Sequence, residues 1–175
     1  MTDALRPFRS TDLARRARLA FRLEPDAEAR RAIAARLGIP EVRKLRFAGE
    51  LVPEGRRDWR LEAALGATVV QPCVVTLAPV VTRIDEPVTR RYLADWEEPA
   101  PGSETEMPQD DSAELLGAAI DPAAVMEEAL ALALPDYPRA EGAGPGAAAA
   151  APPGADPLGA PEHPFAALGK LTKGD

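Results

Sequence analysis

"VRKLRFAGELVPEGRRDWRLEAAL", Val42–Leu65, is the stretch whose period decides the fold. Leu45, Phe47 and Leu51 fall on one side of an extended chain, and Lys44, Arg46 and Glu50 fall on the other. That period of two is the mark of a half-buried strand. "VPEGRRD" then supplies a turn through Pro53 and Gly55. "DWRLEAAL" alternates again, with Trp59, Leu61, Ala63 and Leu65 on one face. Two such strands at hairpin spacing predict antiparallel pairing.

The same reading extends outward. "RLAFRLE" alternates Leu19, Phe21 and Leu23 against Arg18, Arg22 and Glu24, and Pro25 ends it. Asp26 is placed to cap the helix "AEARRAIAARLG", whose stripe is Ala29, Ile33 and Leu37 and whose end is set by Gly38 and Pro40. Downstream, "ATVVQPCVVTLAPVVTRI" reads as two strands broken by a turn or bulge near Gln71–Pro72, and "EPVTRRYLADW" as a further strand. Glu97–Ser112 is acidic and Pro-rich and is expected to be a mobile loop. "IDPAAVMEEALALALP" begins a helix with Asp121 as cap and Pro122 at its first position. Val125, Ala129 and Leu132 form its stripe, widened by Met126, Leu130, Ala133 and Leu134, so it is expected to pack on the sheet. The expected fold is α+β: an antiparallel β-sheet or small barrel with two main helices and a disordered C-terminal linker. In a barrel, the early helix would plug one open end. The expected organisation is a flexible N-terminus (1–15), a single domain (16–138), an Ala/Gly/Pro linker (139–162) and a short interaction motif (163–171).

The 175 residues include one cysteine and one histidine. No internal disulfide is possible, and no apolar h-region or membrane-length apolar run occurs, so a cytoplasmic protein with no membrane partner is expected. The net charge of −7 is unevenly spread: residues 1–60 carry 15 Lys+Arg against 9 Asp+Glu, and residues 61–138 carry 3 against 15. Such a chain suits one partner of each sign, or pairing between its own halves.

Enzymatic constellations are absent from the sequence. Cys73 and His163 are ninety residues apart, which is no metal-ligand spacing, and Cys73 reads as a small buried hydrophobe. The carboxylate pairs (Asp85/Glu86, Glu97/Glu98, Asp110/Asp111, Glu127/Glu128) fall mostly in turns and loops, where solvated charge is the default. "GAGPG" neither follows a strand nor opens a helix, so it is no phosphate cradle. No catalytic residue, cofactor, metal or small-molecule substrate is expected. The basic residues are the lead. Arg43, Lys44 and Arg46 lie on one predicted strand, Arg56 and Arg57 in the following turn, and Arg60 just beyond; Arg15, Arg16 and Arg18 precede the first strand. A strand face of this kind can hold phosphates; a solvated face that offsets the acidic half is the plainer alternative.

Three segments, in this order, resemble the YceD-like family, the large ribosomal RNA subunit accumulation proteins of bacteria and plastids. They are "VVQPCVVTLAPVVTRIDEPVTRRY", "IDPAAVMEEALALALPDYP" and "HPFAALGKL". The first is similar to a family segment that often carries Cys-x-x-Cys; here Val70 stands in place of the first cysteine. The third is similar to a Pro-Phe-Ala-x-Leu ending. "RAEGAG", after Pro138, lacks the Cys or His residues many members carry, so no metal is implied for this chain. The resemblance implies a non-enzymatic factor in accumulation, processing or assembly of the large-subunit ribosomal RNA. The partners would be that RNA or its precursor through the basic third, and a basic ribosomal protein through the acidic middle. A protein-interaction adaptor that never contacts RNA is the alternative. Pro164, with Phe165, Leu168 and Leu171 at three-residue steps, reads as a short amphipathic motif too short to hold a helix alone, and so as a partner-binding element.

Overall fold

The computed structural model describes residues 7–13, 17–95 and 113–143. Its element order is β1 (Phe8–Arg9), α1 (Ser10–Leu13), β2 (Leu19–Leu23), α2 (Ala27–Arg36), β3 (Glu41–Glu54), β4 (Asp58–Pro72), β5 (Pro79–Leu93), β6 (Ala113–Leu115), β7 (Ala119–Ile120) and α3 (Pro122–Ala133). The predicted hairpin is the centre of the sheet. β3 and β4 pair from Glu41↔Val70 to Glu54↔Asp58, with Leu51 opposite Leu61 and Phe47 opposite Leu65. The five strands run in the order β2-β3-β4-β5-β6, antiparallel except for the parallel β5–β6 pair. β1 and β7 form a separate two-stranded pair.

One face of the sheet carries the core. Phe21, Leu23, Leu45, Phe47, Leu51, Leu61 and Leu65 are buried, and the Phe21 and Phe47 rings meet at 5.6 Å between centroids. α2 packs along β3, burying Ile33 and Ala34; α3 packs on β4 and β5 through Val125, Met126, Ala129 and Leu130. Both caps form as the residue types require: Asp26 Oδ1 accepts from the Ala29 amide at 2.8 Å, and Asp121 Oδ1 from the Ala123 amide at 2.9 Å. The Arg36 guanidinium grips the Glu127 carboxylate with two 2.6 Å contacts, which ties α2 to α3. Among the described residues, no helix covers the opposite face.

Several expectations are corrected. The sheet is open, not a small barrel: β2 and β6 are its two ends and do not pair. The stretches read separately as "DWRLEAAL" and "ATVVQP" are one 15-residue strand, β4, and "PVVTRI" and "EPVTRRYL" are likewise one, β5. Pro87 does not break β5, because β6 pairs only with Arg91–Leu93, leaving the outer side of Pro87 without a strand among the described residues. The turn falls at Cys73–Ala78, just past the expected Gln71–Pro72. Leu132, expected in the buried stripe of α3, is 75% exposed. The buried arc runs through Met126, Ala129 and Leu130, with Ala133 partly covered; Leu132, about 100° round from Ala133, falls outside it. The described residues hold the two expected main helices, α2 and α3, and one further turn, α1. Residues 8–13, within the segment expected to be flexible, form β1 and α1 and bury Leu13 completely.

The chain divides into two units, Met1–Glu141 and Gly142–Asp175. The expected mobile loop 97–112, most of the expected linker and the motif 163–171 lie outside the described residues. Among the described residues no helix is long and apolar enough to cross a membrane.

Candidate nucleic-acid interface

The uncovered face of the sheet brings three of the expected basic residues together, and a register fault is the reason. Val42 pairs with Val69 and Lys44 with Thr68, so Arg43 is an extra residue, a β-bulge. Strict alternation would send either Arg43 or Lys44 inward. The bulge turns both out, and Arg46, beyond the buried Leu45, joins them on the exposed face.

This run borders an open basin of about 580 Å³ lined by Arg30, Arg43, Lys44, Arg46 and Arg83, with Glu24 as the one carboxylate in the lining. Arg30 comes from α2 and Arg83 from β5. Neither was singled out in the sequence. Arg83 was legible in principle, since it alternates outward in "VVTRI" and its register partner Thr68 is also that of Lys44. Gly66 lies in the floor, opposite Arg46 on one side and Asp85 on the other. A Cβ at Gly66 would stand 3.0 Å from Arg83 Nη2 and 3.3 Å from Asp85 Oδ1, so that ion pair lies over bare backbone. Arg83 Nε donates to Asp85 Oδ2 at 2.6 Å, and Nη2 donates to Oδ1. The Arg83 contact holds the Asp85 carboxyl below the usual carboxylate range, and Arg46 adds a weaker pull. Arg43 is paired to Glu41 at 2.9 Å, and Arg30 donates to the Pro25 carbonyl at 2.7 Å. Lys44 and Arg46 make no ion pair among the described residues.

The other expected residues are elsewhere. Arg56 and Arg57 sit in the β3–β4 turn, where Gly55 takes a φ of +66°, and Arg60 follows on β4. Ten residues of strand separate Lys44 from Glu54, roughly 33 Å at about 3.3 Å per residue. Arg57 is paired to Asp95, and Arg60 to Glu62 at 2.7 Å. Part of the acidic middle is therefore used inside the molecule: Asp95 holds Arg57, Glu127 holds Arg36, and Glu128 holds Arg90 at 2.6 Å. Arg15, Arg16 and the candidates Pro164, Phe165, Leu168 and Leu171 lie outside the described residues.

Cys73 is fully buried at the β4–β5 turn, and its sulfur is an acceptor hub. The amides of Ala140, Val75 and Thr76 donate to Sγ at 3.3, 3.4 and 3.5 Å. The Thr76 hydroxyl and then these amides lower the thiol pKa to about 6 against the opposing effect of burial. The turn is further held by Cys73 N–H to the Ala78 carbonyl and Val74 N–H to the Pro138 carbonyl, at 2.8 and 2.9 Å. The segment after α3 thus lies directly against Cys73 and its turn. Among the described residues, no three His, Cys, Asp or Glu side chains converge.

No curated protein and no solved structure matches this chain. A family model described as "Large ribosomal RNA subunit accumulation protein YceD" matches residues 61–172. The match takes in most of β4, the Cys73 turn, β5 with Arg83 and Asp85, α3 and the stretch 163–171; β1, α1, β2, α2 and β3 precede it. It covers well over half of the 175 residues, so the chain belongs to the YceD family.

Proposed function

We propose that the protein is a non-enzymatic factor that promotes accumulation of the large-subunit ribosomal RNA by holding that RNA, or its precursor, through the uncovered face of the sheet. The observation that carries this is the basin: five cations from α2, β3 and β5 around one lining carboxylate, with Lys44 and Arg46 free of ion pairs among the described residues. An open face of this sign favours phosphates, and the lack of aromatic residues in its lining favours backbone contact over base reading. The family name supports the ribosomal RNA as the ligand. The site of action would be the cytoplasm. The acidic residues not used in internal pairs would suit a basic ribosomal protein as a second partner.

The alternative, an adaptor that does not contact RNA, is favoured by a different observation. Val74, Val75 and Leu77 on the β4–β5 turn are 48%, 46% and 77% exposed, an apolar tip of the kind that meets proteins. The readings separate by salt response. Binding of large-subunit RNA fragments should weaken steeply with salt, each phosphate contact contributing about −0.7 to −0.9 to the log–log slope. Reversing Arg43, Lys44 and Arg46 to Glu should weaken binding across sequences alike and flatten that slope. Reversing Arg56, Arg57 and Arg60 should do less. An intact first triple variant with undiminished affinity would leave the adaptor as the better reading.

A further inference from the structure

Asp85 engages Arg83, the basin cation that comes from β5, much as Glu41 engages Arg43 on β3. Both Asp85 oxygens face the Arg83 fork, across the bare backbone of Gly66, and Arg46 is two strands away in the same cross-strand row. A carboxylate gripped in this two-point manner occupies the geometry in which guanidinium holds a phosphate. Both partners are more than half exposed, at 54% and 63%, so water and salt weaken the pair and it is open to exchange. At the opposite end of the row stands Arg46, which makes no ion pair among the described residues and pulls on Asp85 only from a distance.

We propose that the basin is an anion site for RNA backbone phosphates that fills by exchange: a phosphate takes the Arg83 fork from Asp85, and Asp85 sets the affinity as a resident competitor. The inference rests on the RNA reading above. Arg30, Lys44 and Arg46 hold the approaching strand, and Gly66 leaves the floor low enough for the Arg83 side chain to change partners. Asp85 acts twice, by occupying Arg83 and by repelling the incoming phosphate. A unit charge at about 4 Å in water is worth roughly a factor of five in binding.

The test uses the full chain and a hairpin fragment of large-subunit ribosomal RNA. Asp85→Asn should raise affinity about fivefold at low salt with little change in the salt slope, because Arg83 holds the same phosphate in both proteins and only its resident competitor is gone. Glu86→Gln makes the same charge change one residue along, in the row that faces the core, and should give a clearly smaller gain with no change in slope. Adding Arg83→Gln to Asp85→Asn should remove the excess gain. Equal effects of Asp85→Asn and Glu86→Gln would mean that only net charge matters and would overturn the exchange, while leaving the RNA reading in place. If the wild-type protein fails to hold the RNA at low salt, or holds polyglutamate of equal charge as tightly, the RNA reading and the exchange both fall.

Discussion

Two glycines in the central hairpin should answer the same substitution in opposite ways. Gly49 on β3 faces Ala63, and a Cβ added there would lie 2.0 Å from the Glu62 carbonyl oxygen and 2.5 Å from Ala63 Cα. Both are backbone atoms of the neighbouring strand. An ordinary carbon–oxygen contact is about 3.3 Å, so the strands must part by more than an ångström, and no rotamer change can absorb it. Overpacking alone costs about 1–3 kcal/mol, and each ladder hydrogen bond lost adds about 1 kcal/mol. Gly49→Ala should therefore cost about 3–5 kcal/mol, a large part of the stability of a domain this size. At Gly66 the atoms in the way are the ends of Arg83 and Asp85, which can swing aside. Gly66→Ala should change stability by less than about 1 kcal/mol, with the lower entropy of the unfolded alanine chain in its favour. Urea unfolding of the two variants beside wild type, with circular dichroism as the signal, measures both. A Gly49→Ala midpoint equal to that of wild type would refute the argument from close strand approach. Because Gly66→Ala displaces the Arg83–Asp85 pair, its RNA affinity should change while its fold does not.

Cys73 makes stability depend on pH. Its pKa drops from an ordinary 9.0 to about 6 in the fold, so the folded thiol gives up its proton more readily than the unfolded one. The resulting contribution is complete above the unfolded value and fades as pH falls through the folded value. The Tm advantage of wild type over Cys73→Ala should therefore widen from pH 6 to pH 9, and a gap that stays constant across that range would show that the thiol does not ionise in the fold. At the low end the remaining cost is the small cavity, about 1–2 kcal/mol at a buried site. Leu77, at a φ of +60° and 77% exposed, holds a left-handed conformation that costs an L-residue about 1–2 kcal/mol. Leu77→Gly should raise stability by up to about 1 kcal/mol after the added freedom of the unfolded chain is set against the relief; a lowered Tm would mean that the leucine side chain makes contacts that outweigh its strain.

Local chemistry was legible wherever the cause of a structure lies within a few residues. The alternation of Leu45, Phe47 and Leu51 sends side chains to opposite faces of any extended chain, whatever lies beside it. Asp26 and Asp121 cap helices because a carboxylate two or three residues ahead of free amides satisfies them locally. The family resemblance also rested on linear order, and the match over residues 61–172 agrees with it. What the tertiary structure decided depends on neighbours. A proline within a strand removes a ladder donor, and at Pro87 this is harmless because no described strand pairs with that stretch of the β5 outer edge. Residues 8–13 look like a loose terminus because their partners, Ala119 and Ile120, are more than a hundred residues away. In the candidate site, exposure of the basic run on β3 could be read from alternation, but the bulge that turns Arg43 and Lys44 out together is a fault in register, which exists only between two strands. Arg30 and Arg83 join the basin for the same reason: a helix packed on β3 and a strand two places across carry them there. The distance that separates Arg56, Arg57 and Arg60 from Arg43, Lys44 and Arg46 follows from how far β3 runs before it turns. That length is set by the pairing of β3 with β4, because hydrogen bonds between strands hold a chain extended past positions where its own residues would let it bend.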